Sequence, residues 1–123
     1  MLELEGTTPI PPEFEVNFPL SVVFQGPEGM VLLSGDTFST VKVIDREFKV
    51  SAESFFQVNT AVAEKMVKHV LDSINMKYTH IIDAYCGAGL FSAFLAPRCD
   101  HLTAIELSES ACDDFATNLE EFE

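Results

Sequence analysis

Basic residues are scarce in this chain: 7 Lys and Arg stand against 20 Asp and Glu, for a net charge of -13 at pH 7. Chains that grip nucleic acid by neutralising phosphates carry the opposite balance, so charge alone argues against an RNA- or DNA-gripping surface here. Cysteine is sparse too. Cys86, Cys99 and Cys112 are odd in number and widely spaced, with no C-x-x-C pair. That excludes a disulfide framework and gives no zinc or iron–sulfur pattern, so no metal is expected. Cys99 and Cys112 read as small apolar residues in a reducing compartment. No apolar run approaches the ~20 residues that cross a bilayer. The N-terminus, Met1-Leu2-Glu3-Leu4-Glu5, is acidic and lacks the basic start of a secretory signal. A soluble, cytoplasmic protein without a membrane partner is expected.

What is present is a core. With 123 residues and 47% hydrophobic content, a single compact chain buries roughly two-thirds of its unfolded surface. Residues 1–50 read as a small antiparallel β region. Phe14, Val16 and Phe18 alternate with polar residues, and Val22-Val23-Phe24 continues the apolar character. Gly26-Pro27-Glu28-Gly29 is a turn signal before Met30-Val31-Leu32-Leu33. Residues 40–50 look like a hairpin, with Val41, Val43 and Ile44 ahead of a polar break at Asp45-Arg46-Glu47. The three prolines in residues 7–12 suit a spacer or an edge.

A change of character near Ser51 marks the expected domain boundary, with 1–50 before it and 51–123 after. Ser54-Phe55-Phe56-Gln57-Val58-Asn59 reads as a loop, with Asn59 or Thr60 as the N-cap of a helix. Val62, Met66, Val70 and Ile74 then recur every four residues, with Ala63, Val67 and Leu71 alongside, one apolar face. A buried strand is next, over residues 80–85, then a glycine turn, then a short helix over 90–96 stopped by Pro97. Residues 102–105 form a second strand ending on Glu106, and Ala111, Phe115, Leu119 and Phe122 mark a further helix after Ser108. Helix, strand, glycine turn, helix, strand, acid, helix is the opening half of a doubly wound α/β domain.

The chemistry gathers at Ile81-Ile82-Asp83-Ala84-Tyr85-Cys86-Gly87-Ala88-Gly89-Leu90-Phe91-Ser92. A strand ending in a glycine turn lets backbone approach a ligand closely, because no Cβ intervenes. A carboxylate at the end of the second strand, about 20 residues on, is where such folds hydrogen-bond ribose hydroxyls. Glu106 occupies that place, unless it is only a solvated strand-end acid. In a dinucleotide site the third glycine position here is Ser92, and the negative charge of Asp83 would face phosphate oxygens. An acid there suits a cationic ligand such as S-adenosylmethionine; otherwise Asp83 is a helix cap or turn acid.

Asp-x-x-Cys-Gly-x-Gly, at residues 83–89, resembles the glycine motif of class I S-adenosylmethionine-dependent methyltransferases. Tyr85 stands where most of that class has glycine. Together with Phe91-Ser92 and the upstream Phe55-Phe56-Gln57-Val58-Asn59, it resembles a narrower group, the RNA (uracil-5-)methyltransferases acting on tRNA or rRNA. The resemblance covers about residues 30–123. It implies a Rossmann-like class I domain, S-adenosyl-L-methionine as cofactor and RNA as partner. By position it implies that Gln57, Tyr85 and Glu106 contact the methyl donor and that Gly87 and Gly89 let the turn close over its methionine part. Leu90 falls at another donor-lining position, where relatives often have a polar residue.

The same resemblance implies covalent chemistry, with a cysteine adding to C6 of uracil and a carboxylate removing the C5 proton. Both residues are expected beyond Glu123, so no catalytic residue is assigned here, and Cys86 belongs to the turn. The chain is therefore expected to be an internal fragment, the end of a connecting β domain and the start of a methyltransferase domain. With two strands of a larger sheet it could self-associate. For Gln57 a loop-capping amide and for Tyr85 a core aromatic are the plainer alternatives. A class I methyltransferase with a protein or small-molecule substrate, or a non-enzymatic β-rich interaction module, stays open as well.

Overall fold

A computed structural model describes residues 1–7 and 15–122. The chain divides into two compact units, Met1–Ser39 and Thr40–Glu123.

The first unit is one three-stranded sheet, β1 (Leu2–Glu5), β2 (Val22–Gly26) and β3 (Gly29–Ser34), in the order β1-β2-β3. Gly26 pairs with Gly29, so Pro27 and Glu28 make the two-residue turn between β2 and β3, and Gly29 takes a φ of 113°. The sheet is mixed rather than antiparallel as expected, because β1 runs parallel to β2. A parallel pair needs a crossover connection. Val16 and Phe18, expected in a strand, lie exposed outside one. Phe14 and most of the proline spacer, residues 8–12, lie outside the described residues.

The second unit, from Thr40 on, takes in most of β4 (Phe38–Val43) and all of β5 (Arg46–Ser51), which pair as a hairpin. The expected boundary near Ser51 therefore falls one hairpin too late. The hairpin belongs with the helices and strands of residues 52–123 because Val43, Phe48 and Val50 are buried in the same core as Phe56, Ala63, Val67, Ala88, Leu90, Ala93 and Leu119. Phe48 sits at its centre, fully buried, with its ring 5.4 Å from Phe56 and 6.2 Å from Phe94. Burying one such side chain contributes about 1.5–3 kcal/mol. The turn is Ile44-Asp45, and Ile44 takes a φ of 61°, rare for a β-branched residue. Its N–H is held by Glu64 at 3.2 Å.

Helix α1 (Thr60–Ser73) starts where Asn59 caps it, the side chain accepting from Val62 N. Its last carbonyls, at Leu71 and Ile74, accept from the Arg98 guanidinium, which satisfies groups that a helix end leaves free. Ala63 and Val67 form its buried line. Val62 and Met66 are 39% and 41% exposed, so the core-facing stripe lies one residue round from the strongest four-residue repeat. Strand β6 (Tyr78–Ala84) leads through the glycine turn to α2 (Ser92–Leu95), a 3-10 turn over Ala96–Arg98 that holds Pro97, and β7 (Cys99–Ile105). Strands β6 and β7 pair in parallel, with Asp83 beside Ala104 and Ala84 beside Ile105. Helix α3 (Glu109–Leu119), capped by Ser108, packs along β5.

Candidate ligand site at the glycine turn

Parallel pairing brings the C-terminal ends of β6 and β7 together, and that register sets the position of every group at the turn. The Ile105 carbonyl accepts from Tyr85 N at 2.8 Å and from Cys86 N at 3.2 Å. These bonds hold Tyr85 in the left-handed region at φ 62°, a conformation that costs a non-glycine residue free energy and clusters at functional sites. The Tyr85 side chain is 92% exposed, so it is not a core aromatic.

The Glu106 carboxylate, though partly open to solvent, turns back over the end of the strand onto backbone N–H groups. Oε2 accepts from Gly87 N at 3.0 Å, and Oε1 accepts from Leu107 N at 2.7 Å and Ser108 N at 2.9 Å. Backbone donors favour the charged form. The N–H groups of Ser108, Leu107 and Gly87, in that order, hold this carboxyl below the usual carboxylate range. A carboxylate can take about four hydrogen bonds, so these three leave acceptor capacity on Oε2.

Asp83 is half-buried and accepts the Ser92 hydroxyl at 2.6 Å. Ser92, fully buried, thus uses the third-glycine position to fix the acid. Cys86 is buried beside both acids; burial first, then the charges of Asp83 and Glu106, push its thiol up to about 11. It is a neutral thiol, unsuited to nucleophilic attack near pH 7.

The two turn glycines differ. Gly87 (φ 54°) faces open space: a Cβ there would meet only the Phe55 carbonyl, at 3.9 Å. Gly89 (φ 91°) faces inward, where a Cβ would come within 2.4 Å of Leu119 and 3.1 Å of Phe115. Gly89 therefore lets α3 pack against the turn. Leu90 is buried in the core cluster, its side chain directed away from the open side of the turn. The Phe55 carbonyl brings the loop carrying Gln57 to the edge of Gly87. Gln57 itself is half-buried, and its amide lies 4.0 Å from Met66 Sδ.

The structure thus gathers Glu106 and Gly87 at one place, with Asp83 and Tyr85 on the same strand end and the Gln57 loop adjoining. It directs the side of Gly89 and the side chain of Leu90 into the core. Sequence reasoning missed Asp114 and Asn118, buried polar residues of α3 that grip β5. Their signal was a polar pair at i, i+4 within the stripe of Ala111, Phe115 and Leu119. Among the described residues no group of three or more His, Cys, Asp and Glu side chains could hold a metal, and no helix is long and apolar enough to cross a membrane.

Known proteins resemble the chain closely enough to classify it. An uncharacterized RNA methyltransferase of Chlorobaculum tepidum is 37% identical over 91 residues, 72% of this chain and 19% of that protein. Among solved structures, Pyrococcus abyssi tRNA (uracil-54, C5)-methyltransferase, in complex with S-adenosyl-L-homocysteine, superposes with a TM-score of 0.70 at 21% identity, covering 97% of this chain and 32% of its own. M. jannaschii tRNA m1G37 methyltransferase gives 0.61 at 16% identity, covering 83% and 32%. At those identities the structural likeness speaks for the fold. The chain spans 19% and 23% of the lengths of two curated relatives it matches. The family described as tRNA (Uracil-5-)-methyltransferase matches residues 16–123, and to that family this chain belongs.

Proposed function

We propose that the segment from β6 to α3 is the opening half of a class I methyltransferase sheet and forms part of the S-adenosyl-L-methionine site of an RNA methyltransferase. In this reading the methyl acceptor is C5 of uridine, in tRNA or rRNA. One observation carries it: the Glu106 carboxylate lies over the glycine turn, anchored on Gly87 N with acceptor capacity to spare. That is the place of a ribose-binding acid in such folds. The open side of Gly87 leaves room for a ligand against the backbone. Asp83, fixed by Ser92, puts a second negative charge at the same strand end, which suits a cation and opposes a pyrophosphate. The exposed Tyr85 ring and the Gln57 loop border the site. Gly89 and Leu90 support it from the core side.

S-adenosyl-L-methionine supplies an electrophilic methyl group; this chain's residues bind and orient it. In the proposed reaction a thiolate adds to C6 of uracil, C5 takes the methyl group, a base removes the C5 proton, and the thiolate leaves. The neutral, buried Cys86 does not fit the thiolate role, and Cys99 is buried with its thiol donating to the Leu95 carbonyl. The family resemblance, and not the exclusion of these two thiols, is the ground for proposing that the nucleophile and base lie beyond Glu123; Cys112 is exposed, on α3. The protein is proposed to act in the cytoplasm.

Calorimetric titration of this chain with S-adenosylhomocysteine tests the binding half: saturable heat supports it, and no heat on mixing contradicts it. Methyl transfer to RNA tests the other half. Transfer by a full-length relative, with none by the 123-residue chain, is expected; turnover by this chain alone would refute the division. The net charge of -13 favours a second reading, a protein or small-molecule acceptor, which absence of RNA methylation by the full-length protein would support.

A further inference from the structure

The glycine turn is gripped from α3 as well as from β7. Asn118, on α3 and buried, donates its amide N–H groups to the Ala88 carbonyl at 2.9 Å and to the Lys49 carbonyl at 2.9 Å. Its Oδ1 accepts from Lys49 N at 2.8 Å. That pattern fixes the amide's orientation, since a flip would set donor against donor and acceptor against acceptor. The side chain thus pairs with the edge of β5 as a neighbouring strand would, and spends its remaining N–H on the turn. Ala88 is 2% exposed, so water cannot easily replace the amide there. The same helix sets Phe115 and Leu119 against Gly89, while Glu106 holds Gly87.

We propose that Asn118 is a positioning residue: it fixes the backbone of the glycine turn through the Ala88 carbonyl and ties the turn's shape to the β4–β5 hairpin. The consequence for binding rests on the adenosyl reading above; the consequence for the turn does not.

The test compares Asn118→Ala with Asp114→Asn in the 123-residue chain. Asp114 grips the same β5 edge, accepting from Ser51 N at 2.8 Å and Ser51 Oγ at 2.6 Å, without a hydrogen bond to the turn. Both variants are expected to unfold at lower denaturant than the parent. Only Asn118→Ala should displace the Ala88 and Gly89 amide resonances without ligand, and only it should weaken S-adenosylhomocysteine binding, by about tenfold. Equal behaviour of the two variants in both readouts would overturn the proposal. Where Asn118→Ala does not fold, Asn118→Asp keeps the shape and the acceptor for Lys49 N and carries the same comparison. Displaced turn resonances in a chain whose parent takes up no S-adenosylhomocysteine would leave the positioning role standing and remove the adenosyl reading. Binding by the parent with undisturbed resonances in the variant would do the reverse.

Discussion

Gly87 and Gly89 show how two residues of one motif serve different ends. Each has positive φ, but Gly87 borders open space and Gly89 a packed helix. Gly87→Ala should therefore cost only the left-handed strain, about 1 kcal/mol. Gly89→Ala adds overpacking against Leu119, for about 2–4 kcal/mol in all. Urea unfolding of the two variants checks the ranking, and equal losses would contradict it. The spacing of the glycines was legible in the sequence; which of them faces the core was not, because that depends on α3, which comes later in the chain. Glu106 offers a pH test. Its carboxyl is held below the usual range, so its grip on Gly87 is complete above the unfolded carboxylate range and is lost only as pH falls through the lower folded value. Asp83 and the exposed Cys112 lie in the same neighbourhood, and neither alters the direction. In an amide NMR titration from pH 7 downward, the Gly87 resonance should move with a midpoint below the ordinary carboxylate value. A midpoint at or above the ordinary carboxylate value would show that the backbone donors do not hold Glu106.

At the scale of elements, local signals read well and long-range ones poorly. Asn59 as the N-cap of α1 is a local matter of one side chain and the next turn, and the structure has it. Asn59→Ala should lower stability by about 1 kcal/mol in urea unfolding; no change would mean that another group satisfies Val62 N. Strand β6, the turn, β7 and the acid after it came from apolar runs and punctuation, again local, but β6, expected to be buried, is largely exposed. The buried line of α1 came out one residue displaced, since Val62–Met66 and Ala63–Val67 are both apolar and only the partner chooses between them. Likewise the hairpin's allegiance was hidden. Its inward residues, Val43, Phe48 and Val50, fit a strand in either unit, and what assigns them is contact with Phe56, Phe94 and α3. Arg46 reinforces that contact, pairing with Glu121 and lying 5.2 Å from the Phe122 ring. In the first unit the parallel β1–β2 pairing was out of reach, because a four-residue strand at a chain start carries little pattern.

For the molecule as a whole, charge and a two-stranded sheet with open edges pull in opposite directions. Among the described residues β6 and β7 pair only with each other, and Ile82 and Ile105, at 62% and 55% exposure, lie open on them. Such edges and faces favour pairing between copies, while a net charge of -13 resists it over a Debye length that shrinks with salt. Sedimentation velocity should find association that grows as salt is raised from 20 to about 500 mM at the Debye lengths involved; a monomer throughout would exclude self-association by this sheet. The central assignment, an adenosyl ligand on the glycine turn, is tested most directly by an amide NMR spectrum recorded as S-adenosylhomocysteine is added. The largest displacements are expected at Gly87, Leu107 and Ser108, the amides that Glu106 already holds. Saturation with those three amides undisturbed, or no displacement anywhere, would contradict it.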